Sequence, residues 1–249
     1  MKCFRKIQVE DPASNSIRDC HLVKYGAREY STIRIGTLEY FRELEGAQSD
    51  PMDGRVEGLI FKGPSGPMQW EELDRTMRDS NVKIVASDGI QFGPNGSISD
   101  NVPRACPNVF IFCCSMEFNV FPNFARAQHF KAKTHSVIDN PAKLIAHVQQ
   151  SLLENVCDSE GNRLVRGEHY IRAWHAPVRY KSRIPADVCN EVNDLDLFVF
   201  QKDPKFQLEQ EYRFAWAFFE SRTNKQVWVQ RDPIDVPMSW IEGIAHVSI

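Results

Sequence analysis

Lys205-Phe206-Gln207-Leu208-Glu209-Gln210-Glu211-Tyr212-Arg213-Phe214-Ala215-Trp216-Ala217-Phe218-Phe219 is the stretch from which the rest of the chain is best read. From Tyr212 onward, Tyr212, Phe214, Trp216 and Phe218 alternate with Arg213, Ala215 and Ala217. That is the period of a strand with one large face and one small face. The residues before it are turn-like and carry two glutamates two apart. On an extended backbone this spacing puts Glu209 and Glu211 on the same side, with Gln210 opposite. Same-side carboxylates at a strand entrance repel one another, which a purely structural design tends to avoid. As a bare pattern E-x-E is common, and solvation or pairing of Glu211 with Arg213 or Lys205 is the structural alternative.

Working outward, Val109-Phe110-Ile111-Phe112-Cys113-Cys114 is a continuous apolar run of strand length, suited to burial on both faces. Cys20 to Tyr25 reads as a strand closed by Gly26, and Thr37 to Phe41 as another after Gly36. Val82 to Val85 and Ile90 to Phe92 bracket Asp88-Gly89, the dipeptide of a tight hairpin. Residues 69–78 fit a short helix. The clearest helix runs from Pro141 to Val156: Asn140 caps it, Pro141 suits the first turn, and Leu144, Ile145, Val148, Leu152, Leu153 and Val156 form one stripe. Further strands are expected at Tyr170 to Tyr180, broken by Pro177, at Leu197 to Phe200 and at Gln226 to Gln230. The balance is α+β, with strands dominating. No repeat or linker divides the chain, so one domain over 1–249 is the simplest organisation.

The 249 residues are 42% hydrophobic, 25% charged and 11% aromatic, which is ordinary globular composition. No apolar run approaches the roughly 20 residues needed to cross a bilayer, and no apolar segment follows the basic start. Membrane spanning and Sec-type secretion are therefore not expected. Seven cysteines without a C-x-x-C pair spell out neither a disulfide framework nor a zinc knuckle, and suit a reducing cytoplasm. The seven histidines lack metal-ligand spacing, and there is no P-loop and no Rossmann glycine turn. No metal site is expected, although Asp50, Asp53 and Glu57 with Glu209 and Glu211 form the acid set that a magnesium-dependent nuclease would need. Cys113 and Cys114 lie inside an apolar strand and read as small hydrophobes rather than nucleophiles.

The net charge of −3 argues against a generally basic nucleic-acid coat but hides an asymmetry. Residues 39–79 hold ten acids against five bases. Residues 118–138 hold Arg126, Lys131 and Lys133 with no acid, and residues 163–183 hold Arg163, Arg166, Arg172, Arg179, Lys181 and Arg183 against Glu168 alone. If these stretches share a face they attract anions, with Phe124, Phe130, Tyr170 and Trp174 interleaved as base-stacking surfaces. Otherwise they are scattered, solvated side chains.

Several short islands together are similar to one family. The E-x-E turn, preceded by an aromatic and leading into a strand, resembles the catalytic turn of the ADP-ribosyltransferase superfamily. Leu22-Val23-Lys24-Tyr25-Gly26 and Ile33-Arg34-Ile35-Gly36-Thr37-Leu38-Glu39-Tyr40-Phe41 resemble its first NAD-binding strand and the following I-x-x-G-x-L-x-aromatic segment. The order of these with Asp50-Pro51-Met52-Asp53-Gly54, a strand ending in Ser115, Val178-Arg179-Tyr180 and Lys202…Phe206…Glu209-x-Glu211-Tyr212-Arg213 is similar to a family of bacterial proteins met in phage-defence and toxin–antitoxin loci. The chain departs from the superfamily in offering Lys24 where a first-strand histidine or arginine is usual, and Cys114-Ser115 where a Ser-Thr-Ser segment is usual.

The resemblance implies a split β-sheet α+β core with insertions around 60–105 and 120–165, and transfer of ADP-ribose from NAD to a macromolecule. Glu211 would then be the catalytic carboxylate. Cleaving the nicotinamide–ribose bond builds positive charge on the ribose carbon, and a carboxylate facing it binds the transition state better than the ground state. Glu209 would orient or deprotonate the nucleophile. Lys24, Arg34 or Arg42 would meet the pyrophosphate, Tyr25, Tyr40 or Phe41 would stack on nicotinamide, and Ser115 would stand for the serine segment. The acceptor favoured by the basic stretches is RNA, with Arg126, Lys131, Lys133, Arg166 and Arg172 as contacts; DNA and protein arginine are the other acceptors. Such a toxin would be restrained by an antitoxin. The rival readings are a non-catalytic binding or sensing module on the same fold and a metal-dependent nuclease.

Overall fold

The computed structural model describes residues 7–11, 16–25, 32–43, 55–56, 59–61, 83–84, 90–92, 98–100, 104–105, 108–118, 124–132, 134–138, 140–181, 186–187, 199–237 and 244–248. Its strands are β1 (Ile7–Asp11), β2 (Ser16–Tyr25), β3 (Thr32–Thr37), β4 (Arg55–Val56), β5 (Leu59–Phe61), β6 (Lys83–Ile84), β7 (Ile90–Phe92), β8 (Ile98–Asp100), β9 (Arg104–Ala105), β10 (Phe110–Glu117), β11 (Thr134–Ile138), β12 (His169–Pro177), β13 (Arg179–Tyr180), β14 (Ala186–Asp187), β15 (Gln201–Lys202), β16 (Glu211–Glu220), β17 (Ile234–Pro237) and β18 (Ile244–Ser248). The helices are α1 (Leu38–Glu43), α2 (Phe124–His129) and α3 (Pro141–Asn155), and a 3-10 turn covers Pro204–Glu209. The architecture is mixed, mostly antiparallel strands in a curled sheet with few helices. Among the described residues no helix is long and apolar enough to cross a membrane.

The two strands that the sequence marks most strongly form the centre. β10 and β16 run antiparallel from Phe110↔Trp216 to Ser115↔Glu211. The main sheet follows the order β12-β16-β10-β2-β11-β18, with β1 on β2, β3 on β10 and β17 on β3. Residues opposite one another share a face, so Phe110, Phe112, Cys114 and Met116 stand with Trp216, Phe214, Tyr212 and Leu22. All eight belong to the main hydrophobic cluster. α3 closes that face with Leu144, Val148 and Leu152, each contributing about 1.5–3 kcal/mol by leaving water. The Asn140 side chain accepts the Lys143 N–H at 3.1 Å, and Pro141 opens the helix as expected.

The opposite face carries Cys113, Ser115, Glu211 and Arg213 beside a smaller cluster of Val23, Tyr25, Ala127 and Val137. β10 meets two different strands along one edge. Phe110 and Ile111 pair with Thr37 and Gly36 of β3, whereas Ser115, Met116 and Glu117 pair with Val23, Leu22 and His21 of β2. Between them, Phe112, Cys113 and Cys114 have no strand partner on that edge among the described residues. The sheet therefore opens a notch there. Gly36 borders it because nothing larger fits: a Cβ would lie 2.5 Å from Phe41 Cε2 and 2.9 Å from Tyr40 Cδ1.

Some expected elements differ. Thr37 to Phe41 is not a strand. β3 ends at Thr37, whose Oγ1 accepts the Tyr40 N–H at 3.1 Å and starts α1. The segments flanking Asp88-Gly89 are strands but not a hairpin, since β6 pairs with β9 and β7 with β8. Of the strand expected at 197–200, residues 197–198 lie outside the described residues and Val199-Phe200 is not strand, β15 beginning directly after it; residues 226–230 make isolated bridges instead of a strand. The helix expected at 69–78 lies outside the described residues.

Candidate functional site

At the notch a cleft of about 540 Å³, open to solvent, is lined by Lys24, Tyr25, Phe41, Ser115, Glu209 and Glu211, all singled out from sequence. Lys202, Arg213, Cys113 and Phe130 complete much of its wall. Val23, Ser115 and Glu211 form one row across β2, β10 and β16, because Ser115 pairs with both of the others.

The glutamates arrive by a turn rather than by extended chain. Asp203 caps the 3-10 turn, its carboxylate accepting the Lys205 N–H at 2.9 Å, and Gln210 closes it in the left-handed region at φ 41°, ψ 54°. Glu211 then begins β16, with its N–H donating to the Tyr180 hydroxyl oxygen at 2.6 Å. The carboxylates converge because the chain reverses at Gln210, not because residues two apart share a side of a strand. Arg126 fixes this unusual backbone. Its guanidinium donates to the Leu208 carbonyl at 3.0 Å, to Gln210 Oε1 at 2.8 Å, to the Met116 carbonyl at 2.7 Å and to Glu117 Oε1 at 2.6 Å. The Met116 N–H donates to the Gln210 carbonyl at 2.8 Å. The turn is thus riveted to β10.

Glu209 and Glu211 are both buried, and each finds a cation. Lys202 Nζ lies 2.7 Å from Glu209 Oε2 and 3.1 Å from Glu211 Oε2. Arg213 Nε donates to Glu211 Oε1 at 2.6 Å and its Nη2 reaches Oε2 at 3.3 Å. Burial opposes ionisation of Glu211, but Arg213 and Lys202 outweigh it and hold the carboxyl well below its usual range. Burial pushes Glu209 the other way; Lys202 resists that rise and the Glu211 charge adds to it. Two carboxyls six backbone bonds apart are thereby pushed in opposite directions, Glu211 towards the anion and Glu209 towards holding a proton. Glu209 Oε1 has no hydrogen-bond partner within 3.5 Å among the described residues.

Lys24 Nζ donates to the Cys113 carbonyl at 2.8 Å, on the stretch of β10 that no strand covers, and lies 5.2 Å from the Phe112 ring centre. The cysteines of β10 are not thiolates: burial raises Cys113 and Cys114 well above the ordinary thiol value. The Tyr25 hydroxyl donates to Glu117 Oε1, and its ring stacks on Phe130 at 5.6 Å.

Other candidates fall elsewhere. Arg34 is exposed and forms a two-bond pair with Asp235 at 3.0 and 3.1 Å, away from the cleft. Tyr40 packs edge-on against Phe41 at 5.5 Å, and neither Tyr40 nor Arg42 lines the cleft. Arg126, expected on a basic surface, is buried and spent on the turn. Lys131, Arg166 and Arg172 are exposed. Arg172 lies 4.5 Å over the Phe219 ring and donates to Asn224 Oδ1 at 2.7 Å. Lys133, Asp50, Asp53 and Glu57 lie outside the described residues. Among the described residues no group of three His, Cys, Asp or Glu side chains is arranged around a metal position.

Lys202 and Tyr180 carry the site's scaffold without having been assigned a role from sequence, and Arg126 does so in place of the nucleic-acid contact expected of it. The one signal was position: Lys202 stands directly before the Asp203-Pro204 cap, seven and nine residues ahead of the glutamates. No protein-family model, characterised protein or solved structure matches this chain.

Proposed function

We propose that the chain is an NAD-dependent mono-ADP-ribosyltransferase on a split-sheet core, a bacterial toxin or anti-phage effector that modifies a macromolecule, with nucleic acid favoured over protein. The observation that carries this reading is the pair of buried carboxyls at the notch that share Lys202 Nζ, with Arg213 holding Glu211 towards the anion and burial pushing Glu209 up. Glu211 faces the ribose carbon on which positive charge develops and stabilises it. Glu209 takes the proton of the incoming nucleophile. The uncovered edge at Phe112 to Cys114, Lys24, and the rings of Tyr25 and Phe41 suit a flat ring and an anionic diphosphate. Exposed Lys131, Arg166 and Arg172, with Tyr170 beside the last, support a nucleic-acid acceptor.

A second reading has its own observation. Both oxygens of Glu211 are engaged by Arg213 and Lys202, the pattern of a structural ion-pair network, which favours a binding or sensing module on the same fold. In the nuclease alternative, a divalent ion would have to displace Lys202 Nζ from between the two carboxylates.

Incubation of wild type and Glu211→Gln with labelled NAD and separate pools of RNA, DNA and cell protein tests these. Label entering one pool with wild type alone establishes the transferase and its acceptor class. No label in any pool, together with no NAD-induced rise in melting temperature, rejects it in favour of the module. The glutamine variant leaves Arg213 facing one oxygen instead of two, so its melting curve is recorded alongside.

A further inference from the structure

One buried polar pair, of which Glu209 lines the cleft and His129 stands beside it, is left unexplained by these roles. Glu209 Oε1 and His129 Nε2 lie 3.6 Å apart, and both atoms are buried with no closer hydrogen-bond partner among the described residues. The His129 side chain is nonetheless 25% exposed, so the exposed part of the ring lies away from Nε2. His129 ends α2, the helix whose Arg126 rivets the turn carrying Glu209, and its ring meets Phe130 edge-on at 5.0 Å. The helix and the turn therefore move as one body. Around Glu209 stand Lys202 of β15, Glu211 of β16 and Tyr180 of β13, with Arg126 on the neighbouring Leu208 and Gln210. Lys202 occupies the other oxygen, Oε2, so Oε1 is the atom left to handle a proton.

We infer that His129 is a positioning residue acting through Glu209: it aligns Oε1 and carries to solvent the proton that Glu209 takes from the acceptor. The inference rests on the transferase reading above. In the step, the acceptor's hydroxyl or amine lone pair forms a bond to the ribose carbon, and its proton moves to Glu209 Oε1. The bond from that carbon to the nicotinamide nitrogen breaks, and its electron pair neutralises the pyridinium. The proton then passes from Oε1 to His129 Nε2, free to accept in the Nδ1–H tautomer, restoring the carboxylate. The ring releases its Nδ1 proton to water, and a tautomer shift returns the remaining proton to Nδ1 before the next cycle. Nothing is oxidised, and one proton is released per transfer. A buried base without such an outlet would stay protonated after one turnover.

The test measures nicotinamide release from NAD, with water and with the labelled pool as acceptors, for wild type, His129→Ala and the shape-conserving His129→Gln, each with a melting curve. A positioned general base supplies roughly 10²–10⁴-fold; loss of its outlet is expected to lower kcat about 10-fold with KM for NAD unchanged. Imidazole added to His129→Ala restores the rate, while His129→Gln, whose amide cannot carry the proton, stays slow. A His129→Gln enzyme as fast as wild type overturns the inference and leaves the transferase standing. So does a loss in which kcat and KM move together and imidazole restores nothing. A wild type that releases no nicotinamide overturns the transferase reading itself, and this inference with it.

Discussion

The two faces of β16 are made by alternate residues of one strand and do opposite things. Tyr212, Phe214, Trp216 and Phe218 point into the main core under α3, where the contacts are mostly apolar, the Tyr212 hydroxyl meeting His175 Nδ1 at 2.6 Å. Glu211 and Arg213 point to the other face, equally buried, and bring charge into a place that gains little from it. A buried ion pair is often no more stabilising than well-packed apolar residues of the same size. The polar face therefore holds its charges at little net benefit to stability, which directs attention to the cleft they line.

Four measurements break or sharpen that contrast. The largest effect is expected for Glu209→Gln, which should lower ADP-ribose transfer roughly 10²–10⁴-fold while leaving the melting temperature unchanged or higher. The amide still accepts from Lys202 and gives His129 a donor, so a drop in stability would show Glu209 to be structural. Next comes Trp216→Ala on the oily face, expected to cost about 3–5 kcal/mol in denaturant unfolding with NAD affinity of the folded fraction unchanged. Weaker NAD binding there would mean the faces are not independent. Gly36→Ala forces the Phe41 and Tyr40 rings away, for about 1–3 kcal/mol in stability and a raised KM for NAD.

The smallest is a pH profile of stability. Glu209 has a raised value in the fold, so its contribution is fully present below the unfolded value of 4.5 and is lost as pH rises through the folded value. Glu211 is lowered, so its contribution is present above 4.5 and is lost only in stronger acid. Wild type should gain stability on acidification towards 4.5 and then lose it, and Glu209→Gln should lack the gain alone. Identical profiles would show that the two carboxyls are not held apart.

What the sequence made legible was whatever repeats along the chain. β10 and β16 declare themselves by a continuous apolar run and a period of two, and α3 by its stripe and its Asn140-Pro141 start. The segment from Thr37 to Phe41 was misread because five mostly apolar residues carry no period. The decisive signal was the threonine as a cap. Glu209 and Glu211 were legible as a pair, but their convergence depends on a left-handed Gln210 that no glycine announced. Arg126 looked like surface because long-range bonds to Leu208 and Gln210, 82 and 84 residues away, leave no trace in local composition. The partition of charge around Lys202 was hidden for the same reason.

The row of Val23, Ser115 and Glu211 has a consequence in time. Its members are separated by roughly ninety residues at each step, so the cleft is built from contacts of high sequence separation, which close slowly. During synthesis at about 5–20 residues per second, a nascent chain that has made the first two strands still lacks the third for several seconds. No partial chain ending before Glu211 holds the two carboxyls, so the cell that makes this protein meets a competent cleft only after β16 has emerged and docked.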